Sequence, residues 1–354
     1  MKKVIALVAA ACATAGCLAA CGSKPATDTQ KTAAVSEKKL KVVTTIYPEY
    51  DWVKQILGDK ADKAEVTNLI NNGVDLHSYQ PTAQDIMKIS EADIFIYVGG
   101  ESDKWVDNVI KSANNKKLVA VDLMKTLGES NIKEEEVVEG MQSEDHDHDH
   151  DHDHDHDHDH GSDKDKDHDH SDEEEKEYDE HVWLSLKKAS FLCDSIATAL
   201  EKADPDNAGT YSANVKAYKE KLSKLDAEYK KTVDAATVKT VLFGDRFPFR
   251  YMVDDYGLKY YAAFVGCSAE TEASFETISF LAKKVDELGL KSVLTIEGSN
   301  HKIAETIIQN TKDKNQKILT LDSLQSTTDA DVKNGKTYLS VMESNLKVLK
   351  EALK

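Results

Sequence analysis

Clustered positive charge is missing from this chain. Its 354 residues carry 45 Lys and Arg against 64 Asp and Glu, a formal net charge of −19. Nothing basic is grouped tightly enough to suggest nucleic acid as a partner. Cysteine is scarce, at five residues. Cys12 and Cys17 fall in the N-terminal apolar segment and Cys21 stands directly after it. Cys193 and Cys267 remain, a poor basis for a structural zinc site; they form either one disulfide or two thiols, and spacing does not decide between these. No His-Glu-x-x-His occurs, and no Ser or Cys nucleophile motif. The apolar run from Val4 to Ala20 is short and alanine-rich for a membrane span.

Acidity is present, but it is local. Between Glu144 and Glu180 there are 20 Asp and Glu against 3 Lys, a balance of −17, so the rest of the chain carries about −2. The centre of this region is an Asp-His repeat. It places His146, His148, His150, His152, His154, His156, His158 and His160 at alternate positions, and His168 and His170 follow a short spacer. Ten of the 13 histidines lie here. Such a stretch has nothing apolar to bury, so a solvated, disordered loop over about 141–180 is expected. Alternating imidazole and carboxylate make many weak sites for a borderline metal such as zinc. Ordinary linkers use Gly, Ser, Pro, Glu and Lys instead.

The N-terminus reads as a targeting segment: Met1-Lys2-Lys3, then the apolar run, ending Leu18-Ala19-Ala20-Cys21-Gly22. This resembles a bacterial lipobox and implies a signal peptide over 1–20, lipidation of Cys21 and a tether over 21–38. The mature protein is then expected outside the cell, anchored to the outer face of the cytoplasmic membrane.

Beyond the tether, β-branched runs alternate with amphipathic segments. Strands are expected over 41–46, 65–70, 93–98 and 117–121, with helices over 49–57, 83–91 (capped by Thr82), 103–112 and 187–202. Apolar residues at steps of three and four from Tyr211 to Tyr229 predict one long helix over 208–235. The alternation then restarts, with strands over 240–243, 258–265, 292–296 and 318–321 and helices over 249–256, 274–288, 302–309 and 336–353. This is an α/β chain of two lobes with mostly parallel sheets: 39–203, a linking helix over 204–237, and 238–354.

In open parallel sheets, ligand-binding residues gather just beyond the carboxyl ends of strands. His77, Asp245, Glu297 and Asp322 each follow an expected strand, and His181 opens the helix after the acidic stretch. Taken singly each has a bland reading: Asp322 as a cap, Asp245 paired with Arg246, Glu297 in a solvated turn, His77 merely exposed. Together they offer nitrogen and oxygen ligands from both lobes, which suits a mononuclear divalent-metal site.

These residues carry a resemblance that spans nearly all of the mature chain. Gly73-Val74-Asp75-Leu76-His77-Ser78-Tyr79-Gln80-Pro81-Thr82 and Glu180-His181-Val182-Trp183-Leu184 are similar to the two metal-histidine motifs of the cluster A-I substrate-binding lipoproteins of bacterial ABC transporters for zinc and manganese. Gly266-Cys267-Ser268 and Leu321-Asp322-Ser323-Leu324 resemble later segments. The resemblance implies two lobes bridged by a rigid helix, a metal between them, a monomer, no enzyme activity, and a permease of the cytoplasmic membrane as partner. A His-rich loop before the second histidine is typical of the zinc branch. One departure stands out: Arg246 occupies the usual position of a third histidine, and a guanidinium stays protonated and cannot ligate. The expected ligands are therefore His77, His181, Asp245 and Asp322, with Glu297 and His301 in reserve. Two carboxylates suit manganese, but the Asp-His repeat favours zinc. The alternatives are a manganese-binding uptake protein of the same family, an extracytoplasmic zinc hydrolase, and a surface adhesin or metal buffer.

Overall fold

The structure, a computed structural model, describes residues 39–142, 177–268 and 271–354. The lipidation site and the Asp-His repeat lie outside the described residues. The chain runs β1 (Leu40–Thr44), α1 (Tyr47–Leu57), β2 (Ala64–Asn68), α2 (Ala83–Glu91), β3 (Ile94–Tyr97), α3 (Val106–Ser112), β4 (Val119–Asp122), α4 (Leu123–Leu127) and α5 (Leu186–Ala203). It continues through the long α6 (Ala208–Ala235) to β5 (Thr240–Phe247), α7 (Arg250–Tyr256), β6 (Lys259–Val265), α8 (Phe275–Leu288), β7 (Ser292–Ile296), α9 (Lys302–Gln309), β8 (Lys317–Leu321), α10 (Asp329–Lys333) and α11 (Tyr338–Ala352).

The strands form two four-stranded sheets, ordered β2-β1-β3-β4 and β6-β5-β7-β8. Every pairing is parallel. The two halves thus repeat one winding, in which the chain leaves the first strand to one side and returns to the other. Ligand crevices form at the carboxyl ends of strands at this kind of reversal. The inner strands are buried on both faces, as helix-covered parallel strands are: Ile94–Tyr97 and Ser292–Ile296 have no exposed residue.

Helix α6 follows from its pattern. Tyr211, Val215, Tyr218, Leu222, Leu225, Tyr229 and Val233 recur at three- and four-residue steps and are all buried. A fully buried side chain such as Leu222 contributes about 1.5–3 kcal/mol relative to exposure. The halves also share a base. Tyr338 of α11 donates its main-chain N–H to Asp51 of α1 at 3.0 Å and its hydroxyl to the Trp183 carbonyl at 2.6 Å. The Tyr229 hydroxyl reaches the Met342 carbonyl at 2.6 Å. One apolar core accordingly runs from β1 through α5 and α6 to α11, with a smaller one between β6, β7, α8 and α9.

Two local differences from the sequence reading bear on the site. Strand β5 does not stop at Phe243 but runs to Phe247 with a register shift between Phe243 and Arg246, so Asp245 lies inside an irregular strand rather than after it. Residues 141–142 and 177–180, expected in the acidic loop, belong to the fold. Glu134 bridges to Tyr178 and Gln142 to Phe264, and the Asp179 N–H donates to the Lys133 carbonyl at 2.9 Å.

Candidate metal centre

Two Asp-x-His segments build the site. His77 lies in a short turn, Leu76–Ser78, and its main-chain N–H donates to Asp75 Oδ1 at 3.0 Å. His181 precedes the turn Val182–Leu184, and its N–H donates to Asp179 Oδ1 at 2.9 Å. In both cases a short acceptor side chain two residues upstream fixes the backbone that carries the imidazole. Asp179 Oδ1 also lies 3.0 Å from His181 Nδ1. A carboxylate only accepts, so this bond puts the proton on Nδ1 and turns the Nε2 lone pair outward. His77 Nδ1 meets Ser102 Oγ at 2.9 Å and lies 3.5 Å from Glu180 Oε2.

The two Nε2 atoms face each other at 3.1 Å. With Zn–N bonds of about 2.0–2.1 Å, that separation subtends roughly 100° at a shared ion, close to a tetrahedral angle. Glu180 supports a cation here as well. Its residue is 1 % exposed, and its Oε2 has no hydrogen-bond partner while Oε1 accepts from the Ser102 N–H at 2.8 Å. Two glycines permit the close packing. Gly100 has φ +79, and a Cβ there would meet Glu180 Oε1 at 2.4 Å; a Cβ at Gly266 would lie 2.9 Å from His181 Cε1.

Beside the pair opens a cavity of about 430 Å³ whose walls include Glu101, Glu135, Glu177 and Glu180. Carboxylates around a low-dielectric mouth draw cations in. Burial, reinforced by the like charge of His181, pushes His77 down to about 3, with Asp75 opposing. Burial also works against charging His181, but Asp179 beside it, with Glu135 and Glu180, holds its pKa above the ordinary histidine value. Burial raises Glu180.

Of the expected ligands, the structure brings together only His77 and His181. Among the described residues the third member of the cluster is Cys267, whose sulfur and one ring nitrogen of each histidine all lie within 4.8 Å of one another. Cys267 and Cys193 are both free thiols, not a disulfide. The predicted carboxylates do not join the cluster, because each is engaged elsewhere. Asp245 Oδ2 accepts from the Ile296 N–H at 3.2 Å, tying β5 to β7 across the bulge. Asp322 pairs with Lys336 at 2.8 Å and accepts from the Leu324 N–H at 2.8 Å. Glu297 takes the Ser323 N–H at 2.6 Å and hydroxyl at 2.7 Å, fixing the turn after β8. His301 opens α9 in the left-handed region, φ 60, and is also outside the cluster. Arg246 is occupied too: it donates to Asp75 Oδ2 at 2.6 Å and to the Ser268 carbonyl at 3.2 Å, joining the two lobes beside the histidines.

Paired parallel α/β lobes, with His77 and His181 brought together between them, match the architecture of the cluster A-I substrate-binding proteins. More particularly, the chain belongs to the family described as ZnuA, zinc-uptake complex component A, periplasmic, whose model matches residues 42–352. It is 33% identical over 322 residues to the zinc-binding protein AdcA of Streptococcus pyogenes serotype M3, covering 91% of this chain and 58% of that protein. The chain therefore spans less than two thirds of the length of these streptococcal relatives. It is 32% identical over 336 residues to the high-affinity zinc uptake system protein ZnuA of Bacillus subtilis, covering 95% of this chain and 93% of that one. Among solved structures, the Zn(II)-bound ZnuA-like domain of Streptococcus pneumoniae AdcA superimposes with a TM-score of 0.64 at 29% identity, covering 89% of this chain and 99% of that domain. The lipoprotein YcdH of Bacillus subtilis gives 0.66, also at 29% identity, over 89% and 99%.

Proposed function

We propose that this protein captures zinc outside the cytoplasm and hands it to an ABC-type permease, with His77 and His181 as ligands. The observation that carries the reading is the pair of Nε2 atoms facing each other at 3.1 Å, one of them fixed in the metal-binding tautomer by Asp179. Imidazoles suit zinc better than manganese, which prefers oxygen. The zinc names of relatives that share a third of this sequence support the same cargo. Asp245 and Asp322 shape the cleft through the bonds they make. The protein is not an enzyme in this reading. It works as a monomer on a lipid anchor at Cys21, and the Asp-His repeat gathers metal near the mouth. The domain limits read from the sequence are kept as part of this proposal, with residues 141–142 and 177–180 assigned to the fold.

The test is metal content and competition on a soluble chain beginning at residue 39 with 143–176 replaced by a short linker. A cut reaching residue 180 would remove Asp179 and Glu180 from the site. One tightly held zinc that excess manganese does not displace supports the reading. Equal competition by manganese makes it the cargo, and absence of tight binding refutes the assignment. In cells, deletion of the gene is expected to abolish uptake at low zinc. Unchanged uptake would favour a surface adhesin or buffer.

A further inference from the structure

We propose that Cys267 is a third ligand to the metal, so that the cleft offers two imidazole nitrogens and one thiolate sulfur. This rests on the reading of His77 and His181 as metal ligands. Nothing in the pattern of polar residues pointed to Cys267, yet the fold brings its sulfur to the histidine pair from the opposite lobe.

The segment that carries the thiol is held there from three sides. The Cys267 N–H donates to Glu135 Oε1 at 2.9 Å. The next residue's carbonyl, on Ser268, accepts from Arg246, which in turn is bound to Asp75 two residues before His77. The preceding Gly266 packs directly on the His181 ring, where any Cβ would collide. A tetrahedral zinc with Zn–N of about 2.0–2.1 Å and Zn–S of about 2.3 Å needs donors roughly 3.3–3.6 Å apart. The histidine Nε2 atoms are already near this spacing, and the sulfur lies within 4.8 Å of a ring nitrogen of each. Cys267 lines the same 430 Å³ cavity as His77 and Glu180, so the ion enters past it. The buried Glu180 Oε2 has no hydrogen-bond partner and lies 3.5 Å from His77 Nδ1, which sets negative charge directly behind the histidine pair.

Binding breaks the Cys267 S–H bond. The sulfur donates its electron pair to the metal, the proton leaves to water through the open cavity, and no electron is transferred. A thiolate is a soft donor that favours zinc over manganese. Sulfur here thus reverses the preference that two carboxylates would have produced, and Cys267 sets the cargo.

The experiment uses the full chain loaded with cobalt(II) as a spectroscopic stand-in for zinc. A thiolate ligand gives an intense near-ultraviolet sulfur-to-cobalt charge-transfer band, which histidine and carboxylate in the Asp-His repeat cannot produce. The band is expected in the parent and in Cys193→Ser, and is expected to vanish in Cys267→Ser and Cys267→Ala. Zinc affinity of the Cys267 variants, from chelator competition, should fall by about 100-fold or more, beyond the 10–100-fold typical of an outer partner. Manganese affinity should change little. Zinc is also expected to protect Cys267 of the unmodified protein from alkylation, a readout that needs no variant to fold. A parent that binds zinc and cobalt tightly without the band, or a band that survives in Cys267→Ser, overturns the ligand assignment while leaving the zinc reading intact. A parent that binds neither metal overturns the functional reading itself.

Discussion

Replacing Asp179 by Asn isolates what the carboxylate behind His181 does for the metal. The side chain accepts from the His181 main-chain N–H at 2.9 Å and from its Nδ1 at 3.0 Å, in a place where Asp179 is 2 % exposed. Asparagine keeps the shape and one acceptor oxygen but removes the charge. The backbone stays pinned, because the Asp179 N–H still reaches the Lys133 carbonyl and its own carbonyl still accepts from the Tyr251 hydroxyl at 2.7 Å. The loss is therefore in ligand basicity and ring orientation, and outer partners of metal-bound histidines are worth 10–100-fold in affinity. That is about 1.4–2.7 kcal/mol. The deficit should depend on pH in a set direction. Asp179 also raises the pKa of His181, so in the parent a proton competes with the metal on the acid side. The variant is relieved of that competition, and the gap between the two proteins narrows as pH falls. The assay is chelator competition from pH 8 down to pH 5.5, with a thermal melt of the metal-free proteins as the folding control. A folded variant whose zinc affinity at pH 8 is within about twofold of the parent would refute the role assigned to Asp179.

Three further outcomes are expected. In Cys267→Ser, where no thiol proton is exchanged, log affinity against pH should approach a slope of about one below the His181 pKa and flatten above it. His77, pushed down to about 3, contributes no proton in that range, so a slope near two would contradict its burial. Burial works to raise Asp75, but Arg246 and His77 outweigh it and hold its folded pKa below the ordinary 3.8. The stability it adds is therefore fully present above about pH 4 and is lost as pH falls through the folded value. The parent should exceed Asp75→Asn by about 1–3 kcal/mol in urea unfolding at pH 7, with the difference shrinking toward pH 2.5; a constant difference would refute the ion pair as its source. Gly266→Ala places a Cβ 2.9 Å from His181 Cε1 and 3.0 Å from the Phe247 carbonyl. It should lower zinc affinity by about tenfold or more with little change in helix content, and an unchanged affinity would mean the ring is free to move.

Much of this architecture was legible because periodicity reports burial. The α6 run follows from the six apolar residues on one face from Tyr211 to Tyr229, and the Ser292–Ile296 strand from a bounded β-branched run. The short helices α4 and α10 were missed. Five residues cannot display a period, and their signals are single caps, Asp122 and Thr328. At the candidate site, the two histidines that the structure brings together stand in local motifs that a sequence displays. The proximity of Cys267 to them does not show there, since it depends on which lobe-two loop lands opposite. Asp245 was misplaced because a bulge carries β5 past Phe243, turning the carboxylate toward the Ile296 N–H. Cys267 stands just beyond the carboxyl end of β6, where the strand-end rule would have found it had thiols been sorted with the polar residues.

Trp183 gives the cleft an optical voice. Its indole is fully buried, stands with its centroid 5.2 Å from that of the His181 ring, and donates Nε1–H to the Ser323 carbonyl at 2.8 Å. An imidazolium at that distance quenches indole emission, and a metal that replaces the proton removes the quencher. The same hydrogen bond reaches the turn that carries Asp322 on the opposite lobe, so any parting of the lobes shifts the colour of the emission. Only Trp52 and Trp105 share the signal. With those two exchanged for Phe, loading and opening of the cleft become separately visible, as intensity and as wavelength, in an unlabelled protein.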